Sequence, residues 1–248
     1  MSEKQESLIE IFSSVQGEGK YAGCRQVFVR FEGCNLDCQY CDTENRPGNH
    51  PYCNVEDVPG SQQMRQVKNP MTVGDAAGEI LHFLQTVPHH SVSFTGGEPL
   101  LHAGFIRALA PYIRPHAKLF LETNGTLPEQ LASCLDVIDI ISMDIKLPFI
   151  LSRPQWDAHR AFLRLARTKD LYLKIVLTAE TPADEFREAV KLAAEEAPDA
   201  MLIIQPVTPY GGCTAPTPRQ ILTAQDYALR YLKDVRVLPQ THRMISLL

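Results

Sequence analysis

Apolar residues along this chain fall into short blocks separated by longer, one-sided stripes. The blocks are VFVRF (27–31), SVSF (91–94), LFLET (119–123), DVIDIISMDI (136–145), YLKIVLT (172–178), AMLIIQP (200–206) and VRVLP (235–239). Most are short, largely apolar and rich in β-branched residues, as strands covered on both faces are. The stripes predict helices. ADEFREAVKLAAEEA (183–197) puts Phe186, Ala189, Val190, Ala193 and Ala197 on one face. Its start is marked by Thr181 as N-cap, Pro182 at the first helical position and Asp184 three residues after the cap. Thr217-Pro218 repeats the signature ahead of a helix running to about Lys233, and Thr72 with Asp75 does so more loosely ahead of VGDAAGEILHFL. Strand–helix alternation of this kind predicts parallel strands with right-handed crossovers. Six or seven units are too few for a closed eight-fold barrel. The expected fold is therefore α/β, a partial, open parallel β/α barrel of about six to seven strands with its site at the strand C-terminal ends.

One segment interrupts the pattern. Residues 44–71 are rich in Pro, Gly, Asn and Gln and have little periodicity, and they read as an inserted surface loop. With no exact repeat or low-complexity tract, 1–248 reads as a single domain. The composition, 44% hydrophobic and 21% charged, supports a substantial core. A formal charge of −5 argues against gripping a nucleic-acid backbone and favours a small-molecule ligand. No apolar run approaches the roughly 20 residues of a membrane helix, and MSEKQESLIEIF lacks a signal-peptide pattern. A cytoplasmic protein is expected, with no membrane partner. Seven cysteines, an odd number, in a reducing compartment read as ligands or buried thiols before disulfides.

Three of those cysteines lie within GCNLDCQYCDT (33–43): Cys34, Cys38 and Cys41, spaced C-x3-C-x2-C. A closed zinc site needs four ligands and commonly pairs C-x2-C with a second pair, which is missing here. Cys24 and Cys53 lie nearby but follow no zinc spacing. Three close thiolates suit a 4Fe–4S cluster that leaves one iron open for a substrate or cofactor. The competing reading, buried thiols in a tight turn, fits poorly with a polar loop.

With TGGEP (95–99) ending the next strand, and Tyr40 just before the last cysteine, the chain resembles the radical S-adenosylmethionine superfamily. LETNG (121–125) and MDIK (143–146), each at a strand end, agree with it. The resemblance implies a radical-SAM barrel in which the open iron takes the amino and carboxylate groups of S-adenosylmethionine, whose sulfonium is then cleaved reductively. It assigns Cys34, Cys38 and Cys41 to the cluster. It assigns Tyr40, Asp42, Gly97, Glu98, Asn124, Ser142, Met143, Asp144 and Gln205 to the S-adenosylmethionine site, with Glu98 receiving the methionine ammonium.

Within the superfamily, IFSSVQGEGKYAG (11–23), CDT (41–43) and the tail QTHRMISLL (240–248) resemble the 7-carboxy-7-deazaguanine synthase family. The likeness runs from about Leu8 to Leu248 apart from the insertion. SMDIK (142–146) departs from the Ser-Pro-Lys that many members carry. This resemblance implies ring contraction of 6-carboxy-5,6,7,8-tetrahydropterin to 7-carboxy-7-deazaguanine with loss of ammonia, on a route to queuosine and related deazapurines. It implies Thr43 as a Mg²⁺ ligand, and Val15, Gln16, Gly17, Glu18, Arg30, Thr95 and the terminal Leu248 as substrate contacts. Arg30 suits bidentate pairing with the pterin carboxylate, and Glu18 suits its amine and amide edge. No acid or base is assigned, because the radical chemistry belongs to the cofactor. The expected partners are the small pterin, a reductase or flavodoxin as electron donor, and a second copy in a homodimer.

Two other readings share the cysteine loop. A radical-SAM activase that installs a glycyl radical on a partner would not need Arg30, Thr43 or the QGEG turn. An iron–sulfur electron carrier would have no use for TGGEP. His89-His90 reads as a solvated turn, Cys134 as a small hydrophobe in a helix, Cys213 as isolated and Trp156 as packing.

Overall fold

The computed structural model describes residues 4–41, 43, 48–151 and 153–247. Its strands are β1 (Gln5–Glu6), β2 (Leu8–Val15), β3 (Arg25–Phe31), β4 (Tyr52–Glu56), β5 (Met64–Lys68), β6 (Met71–Thr72), β7 (Ser91–Gly96), β8 (Lys118–Thr123), β9 (Ile140–Asp144), β10 (Asp170–Leu177), β11 (Met201–Pro206) and β12 (Val235–Val237). Its helices are α1 (Val73–Thr86), α2 (Ala103–Ile113), α3 (Pro128–Cys134), α4 (Pro148–Leu151), α5 (Trp156–Ala166), α6 (Ala183–Glu196), α7 (Pro218–Ala228) and α8 (Thr241–Met244).

All seven predicted strands form, and they pair in parallel in the order β3-β7-β8-β9-β10-β11-β12. The sheet does not close. It continues past β3 through antiparallel β2 to β4 and β5, giving ten strands with β12 and β5 as its two edges. This is the open parallel β/α barrel expected, enlarged on one side. Helices α1, α2, α3, α5, α6 and α7 pack neighbour to neighbour. Their apolar stripes meet the outward-facing strand residues Val29, Phe94, Leu121, Met143, Leu173 and Ile204 in one core. The five residues expected on one face of α6 are all buried.

Capping follows the sequence in two of three places. Thr72 with Asp75 and Thr217 with Gln220 form reciprocal capping boxes at α1 and α7. Thr181 does not cap α6. Its hydroxyl accepts from the Thr178 amide at 2.9 Å and closes the turn before the helix instead. Helix α7 also stops at Ala228, earlier than expected.

The 44–71 segment differs from the expected loop, because its second half is a β-hairpin. β4 and β5 pair from Tyr52↔Lys68 to Glu56↔Met64, with Cys53 and Val55 wholly buried. Glu56, 1% exposed, accepts the amides of Ser13, Gly60 and Gln62 and so binds the hairpin turn to β2. Glu32 accepts the amides of Asn49 and His50.

Candidate active site

Alternation along the parallel strands sorts each strand into a helix-facing and an inward-facing row. Near the C-terminal end of six adjacent strands an inward position is polar: Arg30 on β3, Thr95 on β7, Glu122 on β8, Asp144 on β9, Lys174 on β10, with the apolar Val176 one inward position beyond it, and Gln205 on β11. All six line one cavity. One layer below, the interior closes with Phe120, Ile140, Tyr172 and Ile203.

The cysteine loop leaves β3 at the rim of this cavity, and Cys34, Cys38, Tyr40, Cys41 and Thr43 all line it. The glycine pair of TGGEP explains how the loop is held. A Cβ on Gly97 would stand 1.9 Å from the Gly33 carbonyl oxygen, so only glycine permits this approach. The approach is fixed by Gly97 N–H to Phe31 O at 3.3 Å and Glu98 N–H to Gly33 O at 2.9 Å. The Leu36 amide donates to Cys34 Sγ at 3.4 Å. Asn124 Nδ2 donates to Asn35 Oδ1 at 2.9 Å, and its amide donates to Glu98.

Burial pushes the Cys34 thiol up and the Cys38 thiol up to about 11, so neither is ionised alone. A bound cation reverses that preference. Among the described residues, no three Cys, His, Asp or Glu side chains converge on a single metal-ion position. Three thiols spread around one cavity, one of them receiving a backbone N–H, fit an iron–sulfur cluster.

Among the described residues, two buried acceptors on residues that line the cavity lack a hydrogen-bond partner: Asp144 Oδ1 and Gln205 Oε1. Such atoms are costly unless something donates to them. The other Asp144 oxygen accepts from Lys146 Nζ at 2.8 Å and pairs with Lys174 Nζ at 3.5 Å. Lys146 also donates to the Tyr40 hydroxyl at 3.2 Å and lies over the Tyr40 ring.

A second chamber adjoins the first and shares Glu18, Arg30, Thr43, Thr95, Glu122, Gln240 and Arg243 with it. Val15, Gln16 and Gly17 complete its turn side, and the stacked rings of Phe12 and Phe28 form a flat apolar wall. Arg30 Nε donates to Glu10 at 2.6 Å, which orients the guanidinium in the chamber. Gln16 donates to Glu122 at 2.6 Å and to Gln26 at 3.0 Å, and accepts the Glu18 amide at 3.0 Å. Thr95 donates to Glu122 at 3.0 Å. Burial alone would raise the Glu18 carboxyl, but the Lys174 ammonium and hydrogen bonds from Lys174 and Gln240 hold it down at about 2.

The tail covers this chamber. Gln240 donates to Glu18 at 2.7 Å, the Thr241 amide donates to Gly17 O at 2.8 Å, and His242 lies where a Gly17 side chain would be.

Most residues chosen from the sequence meet here, and three do not. Glu98 is fully buried outside the cavity lining, accepting from Leu100 N, Thr123 Oγ1 and Asn124 N, and so braces the strand ends. Ser142 faces inward but one layer below Asp144, opposite Tyr172 in the register. Met143 points to the helices and packs against Gly125. Asp42 and Leu248 lie outside the described residues. Lys146, Lys174, Gln240, His242 and the structural role of Glu122 were not among the expected site residues. Cys213 is not isolated, since Cys38 and Tyr40 pack on its apolar cluster. His89 is half-buried, bonded to Ser13 Oγ and Val87 O, and not a solvated turn. Cys53 sits in the core, away from both chambers.

Comparison with known proteins agrees with this geometry. The family model for the radical SAM superfamily matches residues 28–204. A 7-carboxy-7-deazaguanine synthase from Geobacter sulfurreducens is 41% identical, covering 99% of each chain. One from Methanocaldococcus jannaschii is 36% identical over 96% of this chain and 99% of its own. The crystal structure of QueE from Escherichia coli shares the fold at a TM-score of 0.61 and 18% identity, covering 96% of this chain and 95% of that one. A domain of pyruvate-formate lyase-activating enzyme from Bacteroides vulgatus does so at 0.51 and 15% identity, covering 60% of this chain and 98% of that one.

Proposed function

The chain belongs to the radical SAM superfamily and, within it, to the 7-carboxy-7-deazaguanine synthases, and from that premise we propose how its two chambers divide the reaction. It is a radical-SAM lyase that contracts 6-carboxy-5,6,7,8-tetrahydropterin to 7-carboxy-7-deazaguanine with release of ammonia. The observation that carries the division of labour is the pair of adjoining chambers, one lined by three thiols and two unpartnered acceptors, the other by Arg30, Glu18 and an aromatic wall. When bound, the cluster and S-adenosylmethionine supply the radical that abstracts hydrogen from the pterin.

Cys34, Cys38 and Cys41 hold the cluster. Asp144 Oδ1 and Gln205 Oε1 accept the ribose hydroxyls, which supply the missing donors. The backbone of Gly96 and Gly97 faces the methionine end, and Val176 and Val207 offer an apolar wall to the adenine. In the second chamber Arg30 takes the pterin carboxylate. Glu18, ionised, accepts the N–H groups of the pterin amine edge, and Phe12 with Phe28 flank the planar ring. Thr43 borders both chambers, where its hydroxyl would hold a Mg²⁺, and the ion would supply charge stabilisation to the anionic substrate. The one-electron donor is a flavodoxin or reductase.

A glycyl-radical activase must admit a segment of another protein. Here Gln240, Thr241 and His242 lie over the QGEG turn, and the chamber beneath has the size and polarity of a small heterocycle's site. The test is anaerobic reconstitution followed by incubation with S-adenosylmethionine, Mg²⁺, a reductant and the pterin, read by mass spectrometry. Product 7-carboxy-7-deazaguanine is expected without any protein partner. Cleavage of S-adenosylmethionine that never yields that product would overturn the assignment.

A further inference from the structure

Between the two chambers stands one side chain for which the division above gives no task. Lys174 enters from β10 directly opposite Asp144 in the parallel register. Its side chain is 14% exposed, and its ammonium is shared by two carboxylates, Glu18 Oε2 and Asp144 Oδ2. An ammonium has three N–H donors, enough to serve both. Each carboxylate divides its oxygens. Asp144, which lines the first chamber, gives Oδ2 to the lysines and keeps a buried Oδ1 that has no hydrogen-bond partner among the described residues. Glu18 gives Oε2 to Lys174 and Oε1 to Gln240 of the tail.

We propose that Lys174 is a positioning residue that couples the chambers, so that the pterin and S-adenosylmethionine bind cooperatively. The inference rests on the two-chamber assignment. The path is short: pterin edge to Glu18, Glu18 to Lys174, Lys174 to Asp144, Asp144 to ribose. A ligand in either chamber fixes its carboxylate, which fixes the ammonium and through it the other carboxylate. The second ligand then meets a site whose ordering cost has been met, which is positive cooperativity without a change of fold. Because linkage is reciprocal, each ligand tightens the other by the same factor. Without the Lys174 cation Asp144 keeps its pair with Lys146, but Glu18 loses its ion pair and nothing joins the two carboxylates, so the chambers become independent.

The experiment is an anaerobic calorimetric titration of S-adenosylmethionine into reconstituted enzyme with the cluster kept oxidised, so that no turnover occurs, with and without saturating pterin. For the unmodified protein the pterin should tighten S-adenosylmethionine roughly 5- to 150-fold, the usual span of coupling between sites. In Lys174→Met both ligands should still bind, more weakly, with the coupling factor within about twofold of one. Lys174→Arg, which keeps a cation able to serve two carboxylates, should restore most of it. A merely structural lysine would lower both affinities and leave the coupling factor intact, and that result overturns the proposal. So does an unmodified protein that binds both ligands independently. If the unmodified protein binds neither, the two-chamber assignment itself falls, a distinguishable outcome. Should Lys174→Met fail to take up its cluster, Lys174→Gln, uncharged but polar, is read by the same criterion.

Discussion

Replacing Gly97 by alanine adds one methyl group at the point where the end of β7 meets the cysteine loop. That methyl would stand 1.9 Å from the Gly33 oxygen, 2.5 Å from its carbon and 3.1 Å from Cys34 Cβ. A comfortable C···O contact is roughly 3.3 Å, so the two segments must part by about 1.4 Å. Both sides are backbone, and neither can swing aside as a flexible side chain would. The separation breaks or stretches the bonds from Gly97 N to Phe31 O and from Glu98 N to Gly33 O. At roughly 1–3 kcal/mol for each of the two buried amides left unsatisfied, the cost is about 2–6 kcal/mol. For a chain of this size that lowers the melting temperature by roughly 4–24 °C. A functional cost adds to the stability cost, because Cys34 moves with the loop, and a displacement of about 1 Å removes on the order of 100-fold in rate. Gly78 is the internal control. It lies in α1, nothing stands within 4 Å of its added Cβ, and alanine there should stabilise by up to about 1 kcal/mol. The assay is iron content after anaerobic reconstitution, thermal melting and product formation for both variants. Gly97→Ala with the iron content and turnover of the unmodified protein would refute the claim that this close approach fixes the cluster loop.

Cys53→Ala should leave iron content and turnover unchanged while costing roughly 1 kcal/mol of stability, because this thiol is buried in the core beside β5; loss of the cluster would sink the three-ligand assignment. Thr43→Ala should blunt the Mg²⁺ dependence of product formation while 5′-deoxyadenosine still appears, and a mutant with unchanged magnesium activation removes Thr43 from the metal. Glu18 titrates at about 2 in the fold against an ordinary 4.5. Its contribution is therefore present above pH 4.5 and lost as pH falls from 4.5 towards 2, and integrates to at most about 3 kcal/mol. Urea midpoints of Glu18→Gln should accordingly fall less steeply with acidification than those of the unmodified protein; parallel curves would show that the Lys174 pair adds nothing.

The strands, their order and the cysteine loop were legible because apolar runs and clustered thiols are local signals. The logic that singled out Arg30, a charged residue in an apolar strand near its C-terminal end, applies equally to Lys174 in YLKIVLT and was the available sign of it. The misplacement of Ser142 and Met143 has a simple origin. In a strand only every second residue faces inward, and only those near its C-terminal end reach the mouth, so SMDIK contributes Asp144 from the strand and Lys146 just beyond it. The three protein donors that Glu98 gathers were not legible, because a carboxylate in a ligand motif carries no sign of the protein groups it meets. The β4–β5 hairpin escaped notice because what orders it is not an apolar stripe but Glu56, a buried carboxylate gathering amides from Ser13, Gly60 and Gln62. Such an anchor has no sequence period.

The site is assembled from opposite ends of the chain, and this has a consequence for how the protein comes into being. Gln39 is bonded to Gly211, 172 positions later, and Glu18 to Gln240, 222 positions later. At ribosomal speeds of about 5–20 residues per second, the cysteine loop waits on the order of 10 to 30 s for the segment that packs against it. Contacts of this separation also form late in folding, after the closure entropy of most of the chain has been met. During that interval three neighbouring thiols stand open to oxygen and stray metal. The wall that encloses these thiols in the finished fold is therefore absent while the loop is nascent.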